Sequence, residues 1–170
     1  MNLASHIRDV PDFPVPGILF RDITPLLRDP DALRESVARM SRPWEGRRVD
    51  LVAAMEARGF MFGAAMAIRL GAGFVPVRKE GKLPWRTRSV AYTLEYRDDV
   101  LHVHEDAVAG GQRVLVVDDV IATGGTAKAV VQLIEQLGGE VVGVQFLVEL
   151  SDLRGRELLA GHDVQAVITY

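Results

Sequence analysis

Residues 113–126 read Arg113-Val114-Leu115-Val116-Val117-Asp118-Asp119-Val120-Ile121-Ala122-Thr123-Gly124-Gly125-Thr126. Val114 to Val117 is an unbroken apolar, mostly β-branched run, the pattern of a strand buried on both faces of a parallel sheet. Asp118 and Asp119 stand where that strand is expected to end. A loop of small and hydroxyl residues follows, and helical periodicity begins at Ala127. Glycines let backbone N–H groups turn toward an anion, and a helix N-terminus adds partial positive charge there. Ala122 to Thr126 therefore suits a phosphate monoester, with Thr123 and Thr126 adding hydroxyl donors. The two carboxylates would repel phosphate, but they can accept hydrogen bonds from vicinal hydroxyls, beside a divalent cation or without one. A sugar phosphate satisfies both halves, its 5′-phosphate in the loop and its 2′,3′-diol on the aspartates. An ordinary βα connection has the same order of elements, and it is the combination of acid pair, threonines and glycine pair that favours a site. The loop is neither a Walker A sequence nor a G-x-G-x-x-G dinucleotide fingerprint.

Outward from this stretch, Ala127, Val130, Val131, Ile134 and Leu137 predict an amphipathic helix closed by Gly138-Gly139. Val141 to Val148 reads as another buried strand, 153–159 as a loop and short helix, and Val164 to Ile168 as a last strand. Upstream, Val49 to Met55 reads as a strand that runs into the charged turn Glu56-Ala57-Arg58-Gly59. Phe60, Ala64, Ala67 and Ile68 then mark a helix stopped by Gly71, and Gly73 to Val77 is a further strand. A guanidinium at a helix N-terminus is a good pyrophosphate clamp, and a Glu56–Arg58 surface pair is the alternative use of the same turn. Asp29 and Pro30 read as N-cap and first helical residue, ahead of Leu33, Val37 and Met40 at helical spacing. Leu3 to Val10 is expected to form a short helix, whereas the prolines of 11–17 preclude regular structure. The alternation of strand and helix predicts one α/β domain over 1–170, a mainly parallel central sheet flanked by helices. Both charged turns fall at carboxyl ends of strands, where such sheets bind ligands.

Residues 78–97 carry six basic side chains against two acidic ones, a local charge of +4 within a chain of net charge −3. Gly81 and Pro84 make the first part a poor helix or strand. The segment reads either as a solvated loop or as a cationic lid over a polyanion, mobile over about 78–99. His102 and His104 alternate with Leu101 and Val103, so they share a strand face. A metal pair is conceivable there, but two surface imidazoles fit better because no further ligands accompany them. The net charge argues against a general nucleic-acid binder, and no apolar run approaches a membrane span. The first residues have no hydrophobic signal core, so a cytoplasmic location is expected. With no cysteine there is neither disulfide nor thiolate chemistry.

Val116 to Thr126 resembles the phosphoribosyl pyrophosphate (PRPP) binding motif of type I phosphoribosyltransferases, and its Asp-Asp-x-x-Ala-Thr-Gly-Gly-Thr form is most similar to the adenine phosphoribosyltransferases. Phe13-Pro14-Val15-Pro16-Gly17-Ile18-Leu19-Phe20-Arg21-Asp22, Val77-Arg78-Lys79-Glu80-Gly81-Lys82-Leu83-Pro84 and Leu94-Glu95-Tyr96 resemble that family in the same order. The likeness covers roughly residues 12–154. It implies the type I fold with a flexible hood, a homodimer, and the reaction of adenine with PRPP to give AMP and pyrophosphate. It also implies Mg²⁺, carried mainly by PRPP, with Asp118 as the candidate protein ligand. By the same likeness Ala122, Thr123, Gly124, Gly125 and Thr126 hold the 5′-phosphate, and Asp118 and Asp119 hold the ribose diol. Glu56, Ala57, Arg58, Lys79 and Lys82 belong to the pyrophosphate side, with backbone contact expected at Ala57. Residues 1–28 form the base-binding segment, in which Leu19, Phe20 and Arg21, together with Val120, meet adenine. Glu95 is the carboxylate that handles a purine proton, and Glu95, Arg58 and Lys82 form the catalytic set. Arg97 stands where relatives commonly have glycine, and Trp85-Arg86-Thr87-Arg88 is unusually bulky and basic. Both bear on the lid, and Arg97 bears on the proton affinity of Glu95.

Other readings of the same residues are a phosphoribosyltransferase for another purine, a non-catalytic PRPP-sensing regulator, and a PRPP synthetase fragment. The regulator would be expected to show a basic face or a nucleic-acid-binding domain. The fragment would be expected to show an ATP site.

Overall fold

The computed structural model describes residues 1–94 and 97–170, the side chains of 93, 94, 97 and 98 excepted. The chain divides into two compact units, Met1–Arg39 and Met40–Tyr170.

In the N-terminal unit a 3₁₀ turn, Leu3–His6, precedes strand β1 (Arg8–Pro11), which pairs antiparallel with β2 (Leu19–Asp22). The single helix expected over 3–10 is thus a turn followed by a strand, because Arg8 to Pro11 satisfies its backbone across the hairpin. The proline-rich segment between the strands is irregular, as its composition requires, and Phe13 meets Phe20 edge to face at 5.1 Å. Helix α1 (Thr24–Arg28) and helix α2 (Pro30–Ser41) follow. Asp29 Oδ1 accepts the N–H groups of Asp31 and Ala32 at 3.0 and 2.9 Å, the expected N-cap.

The second unit is built on a seven-stranded sheet. Its strands are β3 (Leu51–Met55), β4 (Gly73–Lys79), β5 (Thr87–Leu94), β6 (Arg97–His104), β7 (Arg113–Ile121), β8 (Glu140–Glu149) and β9 (Val164–Thr169). The spatial order is β5-β6-β4-β3-β7-β8-β9. Neighbours from β4 to β9 run parallel, and β6 is antiparallel to both β4 and β5. Residues 87–94 and 97–104 therefore pair as antiparallel strands, so part of the segment read as loop or lid is strand. The alternation of Val90 and Tyr92, which pack against the core, supplies the strand signal that the basic charge of this region obscured.

Helix α3 (Arg58–Leu70) connects β3 to β4, and helix α4 (Gly125–Gln136) connects β7 to β8. The apolar residues of α4, among them Val130, Leu133 and Ile134, join Ala53, Val75, Val116, Val144 and Phe146 in one buried cluster. On the other sheet face α3 lies so close that a Cβ on Gly63 would come 2.5 Å from the Ala54 Cβ. Its buried line is Gly59, Phe62, Gly63, Met66 and Ala67. Ile68, expected inside, is 84% exposed. The helix is turned by the requirement that its two glycines, rather than its bulky side chains, meet the sheet. In α2 the fully buried positions are likewise Ala32, Ser36 and Met40, with Leu33 and Val37 only half-buried.

Adjacent strands β3 and β7 send their helices to opposite faces and to neighbours on opposite sides. That is a topological switch point, and it opens a crevice at their carboxyl ends.

Candidate active site

The last β3–β7 pair in register is Ala54 with Val117. Beyond it the two chains diverge, and a cavity of about 490 Å³ lies between them. Glu56, Ala57 and Arg58 form one wall, and Asp118, Asp119 and Val120 form another. Ala122, Thr123, Gly124 and Thr126 close a third side, and Lys79, Tyr92, Met55 and Phe146 are among the other lining residues.

Asp118 and Asp119 do not lie in a turn, contrary to expectation. Strand β7 runs on to Ile121, because β8 keeps pairing with it at Asp118–Phe146, Val120–Val148 and Ile121–Glu149. The acid pair is thus held on regular backbone, which fixes the direction of each carboxylate better than a loop would. Asp118 Oδ1 accepts the Asp119 N–H at 2.8 Å. It sits where a Cβ on Gly59 would be 2.7 Å away, so only glycine lets α3 pass. Burial first, and then the neighbouring Asp119 charge, push the Asp118 carboxyl well above its ordinary value. Asp119 is 4% exposed, and its Oδ2 forms an ion pair with Arg58, 2.6 Å from Nε.

The Glu56–Arg58 pair is not formed. Glu56 instead accepts the Lys79 N–H at 2.6 Å and Lys82 Nζ at 2.7 Å, with Arg78 Nε at 3.6 Å. Burial alone would raise the Glu56 carboxyl, but the Lys82 and Lys79 hydrogen bonds and the Lys82 and Arg78 charges bring it below its ordinary value. Lys79 Nζ pairs with Asp99 Oδ2 at 2.9 Å. Lys82 is therefore drawn to Glu56 and is absent from the cavity lining.

Gly124 adopts φ 86°, a left-handed conformation that L side chains avoid, and thereby turns the chain from strand into helix α4. Gly125 begins that helix and faces a smaller neighbouring cavity of about 300 Å³ rather than the main one. Tyr92, Phe146 and Asp99 were not anticipated from sequence. Only Tyr92 carried a signal, an aromatic residue at an alternating position of a strand.

Leu19, Phe20 and Arg21 lie on β2 of the N-terminal unit, where Arg21 pairs with Asp9. Glu95 lies outside the described residues. His102 and His104 are half-buried rather than surface imidazoles, with Thr87 Oγ1 2.9 Å from His102 Nδ1 and Trp85 edge-on to His104. Among the described residues no group of three or more His, Cys, Asp or Glu side chains could hold a metal by itself.

Residues 31–167 match the model of the phosphoribosyl transferase domain family. The chain is 58% identical to an adenine phosphoribosyltransferase of Thermotoga neapolitana, over all of both chains. The chain belongs to the adenine phosphoribosyltransferase family. The crystal structure of the adenine phosphoribosyltransferase of Thermoanaerobacter pseudethanolicus superposes with a TM-score of 0.96 at 53% identity, over 99% of this chain and 98% of that one. That of Saccharomyces cerevisiae, complexed with an imino-altritol bisphosphate and adenine, gives 0.91 at 36% identity over 97% and 96%. The sheet order is thus that of the adenine phosphoribosyltransferase fold. Among the described residues no helix is long and apolar enough to cross a membrane.

Proposed function

We propose that this chain transfers the 5-phosphoribosyl group of PRPP to adenine, forming AMP and releasing pyrophosphate. One observation carries the reading: a single cavity is walled on one side by an acid pair and on another by a glycine turn at a helix N-terminus. Full-length likeness to adenine phosphoribosyltransferases, one of them complexed with adenine, supports the choice of base.

In this reaction the bond from C1′ to a pyrophosphate oxygen breaks and the bond from C1′ to a purine nitrogen forms. The ring nitrogen gives up its proton. Positive charge develops on the ribose, as in other glycosyl transfers. No protein nucleophile is needed, so the rate comes from positioning and from stabilising the departing polyanion. The Ala122–Thr126 segment holds the 5′-phosphate with backbone N–H groups and the hydroxyls of Thr123 and Thr126. Asp118 and Asp119 accept the ribose hydroxyls. Arg58, Lys79 and Lys82, with the Ala57 backbone, meet the pyrophosphate, each cation exchanging a carboxylate partner for a phosphoryl oxygen. Val120 is assigned to the base. The base-reading role of Leu19, Phe20 and Arg21 and the proton-handling role of Glu95 rest on the family resemblance.

The adjacent acids suit a cation, since the Asp119 charge and burial both disfavour ionised Asp118. With no self-sufficient ligand group among the described residues, they fit an ion carried in by substrate oxygens. Bound Mg²⁺ would screen the charge of the pyrophosphate, and Asp118 and Asp119 are the side chains that would hold it. A homodimer is the proposed active form, supported by the exposed Met61 and Ile68 on α3. A cytoplasmic location accords with a substrate as highly charged as PRPP.

The test is turnover with adenine, hypoxanthine, guanine and xanthine, each with PRPP and Mg²⁺. AMP formation that exceeds the other products supports the reading, and absence of AMP rejects it.

A further inference from the structure

The loop assigned to the 5′-phosphate is backed by a second segment of chain. After β8 the backbone makes two 3₁₀ turns, Ser151–Leu153 and Gly155–Leu159, joined through Arg154 at φ 54°. Leu150 N–H donates to Ile121 O at 3.0 Å, so the turns start from the end of β7. Gly155 is buried. A Cβ on it would overlap the carbonyl oxygen of Ala122, and would stand 3.0 Å from Gly124 N and 2.9 Å from Ile121 Cγ1. Conversely, a Cβ on Gly124 would overlap the carbonyl oxygen of Gly155. Two backbones therefore meet with room for a side chain on neither. The next residue is clamped. Arg156 Nε and Nη2 donate to Glu149 Oε1 and Oε2 at 2.6 and 2.7 Å, and Nη1 donates to Val164 O at 2.5 Å. Glu149, the last residue of β8, is buried.

We infer that Gly155 and Arg156, braced by Glu149, are positioning residues for recognition of the 5′-phosphate, an inference that rests on the reading of the Ala122–Thr126 loop given above. Convergent N–H groups bind an oxyanion only if their directions are held, to within roughly 0.5 Å. A run of small residues has no side chains with which to hold itself. Gly155 supplies the missing wall, pressing on Ala122 and Gly124 from the side away from the ligand. The bidentate Arg156–Glu149 pair fixes that wall to the sheet, in a planar geometry that lysine does not reproduce.

Two half-ligands separate this role from general stability. Ribose 5-phosphate probes the loop, and magnesium pyrophosphate probes the Arg58 and Lys79 side. Each is titrated calorimetrically into the wild-type chain and into Gly155→Ala, Arg156→Gln, Thr126→Ala and Gly143→Ala, with folding checked by circular dichroism. Gly143 is the control, because a Cβ there would collide with the buried Trp44 ring, away from the loop. Gly155→Ala and Arg156→Gln are expected to weaken ribose 5-phosphate about tenfold while pyrophosphate stays within about twofold. Gly143→Ala lowers the melting temperature and leaves the ratio of the two affinities unchanged. If Gly155→Ala does not fold, Arg156→Gln carries the test, since it adds no bulk to the interior. Equal losses for both ligands, or unchanged ribose 5-phosphate affinity in Arg156→Gln where Thr126→Ala is weakened, overturn the positioning role. Unchanged affinity in Thr126→Ala overturns the reading of the loop itself.

Discussion

Arg58 Nε lies 2.6 Å from Asp119 Oδ2, so the cation assigned to pyrophosphate and a carboxylate assigned to the ribose diol hold each other in the unliganded chain. Removing Arg58 leaves a buried carboxylate without that partner. Because the Arg58 side chain is 45% exposed, screening reduces the penalty, and Arg58→Ala is expected to cost about 1–2 kcal/mol. Asp119→Asn in the same background should recover part of that loss, giving a non-additive double-mutant cycle in urea melts. Both single variants should lose about 100-fold or more in kcat/KM, because each also removes a substrate contact. Additive stability effects would show that the pair contributes nothing.

Asp118 gives a pH prediction of definite sign. Its proton affinity is raised in the folded chain, so the protonated form is favoured by folding. The stability this contributes is complete below the ordinary value of 3.8 and is lost as pH rises through the folded value. Asp118→Asn abolishes that loss. Its melting temperature should therefore climb relative to wild type as pH rises above about 4, while turnover falls. A constant difference across that range would show that Asp118 ionises normally.

Gly59→Ala places a Cβ 2.7 Å from Asp118 Oδ1 and 3.2 Å from Val117 O. Helix α3 must move away or the carboxylate must turn. The expected effect is a loss of about 1–3 kcal/mol in chemical denaturation. It should be accompanied by a fall in kcat/KM, since the displaced group belongs to the proposed diol site. Wild-type kinetics in a destabilised Gly59→Ala would detach Asp118 from the reaction.

Lys82 Nζ meets Glu56 Oε2 at 2.7 Å with its side chain 47% exposed. Such a pair is worth little to stability, so Lys82→Ala should change the unfolding free energy by no more than about 1 kcal/mol. A fall of about tenfold or more in kcat/KM for PRPP would show that Lys82 leaves Glu56 for the substrate. Unchanged kinetics would confine Lys82 to its pair with Glu56.

Local pattern was enough to read the central strand, its glycine loop and the helix of Val130 and Ile134, because burial on both faces writes itself as an unbroken apolar run. The Asp29 cap was legible for a similar reason, since its chemistry lies within three residues. What stayed hidden depends on partners far along the chain. Asp118 and Asp119 are strand residues only because Phe146 and Val148 continue the ladder beside them. The buried side of α3 follows from the fit of Gly59 and Gly63 to the sheet, which no hydrophobic count reveals, and so Ile68 was misplaced. In residues 87–94 charge masked an alternation, and that strand gave no clear signal, although the alternation of His102 and His104 marked its partner. Gly155 gave no signal, since its significance is the lack of space beside Ala122 and Gly124.

The crevice between β3 and β7 arises from connectivity and not from any particular side chain. It persists while its rim is rewritten, because the residues that border it lie beyond the last pairing of β3 with β7. Altered base or phosphate preference is thus open to exchange at the rim with the β3–β7 ladder untouched.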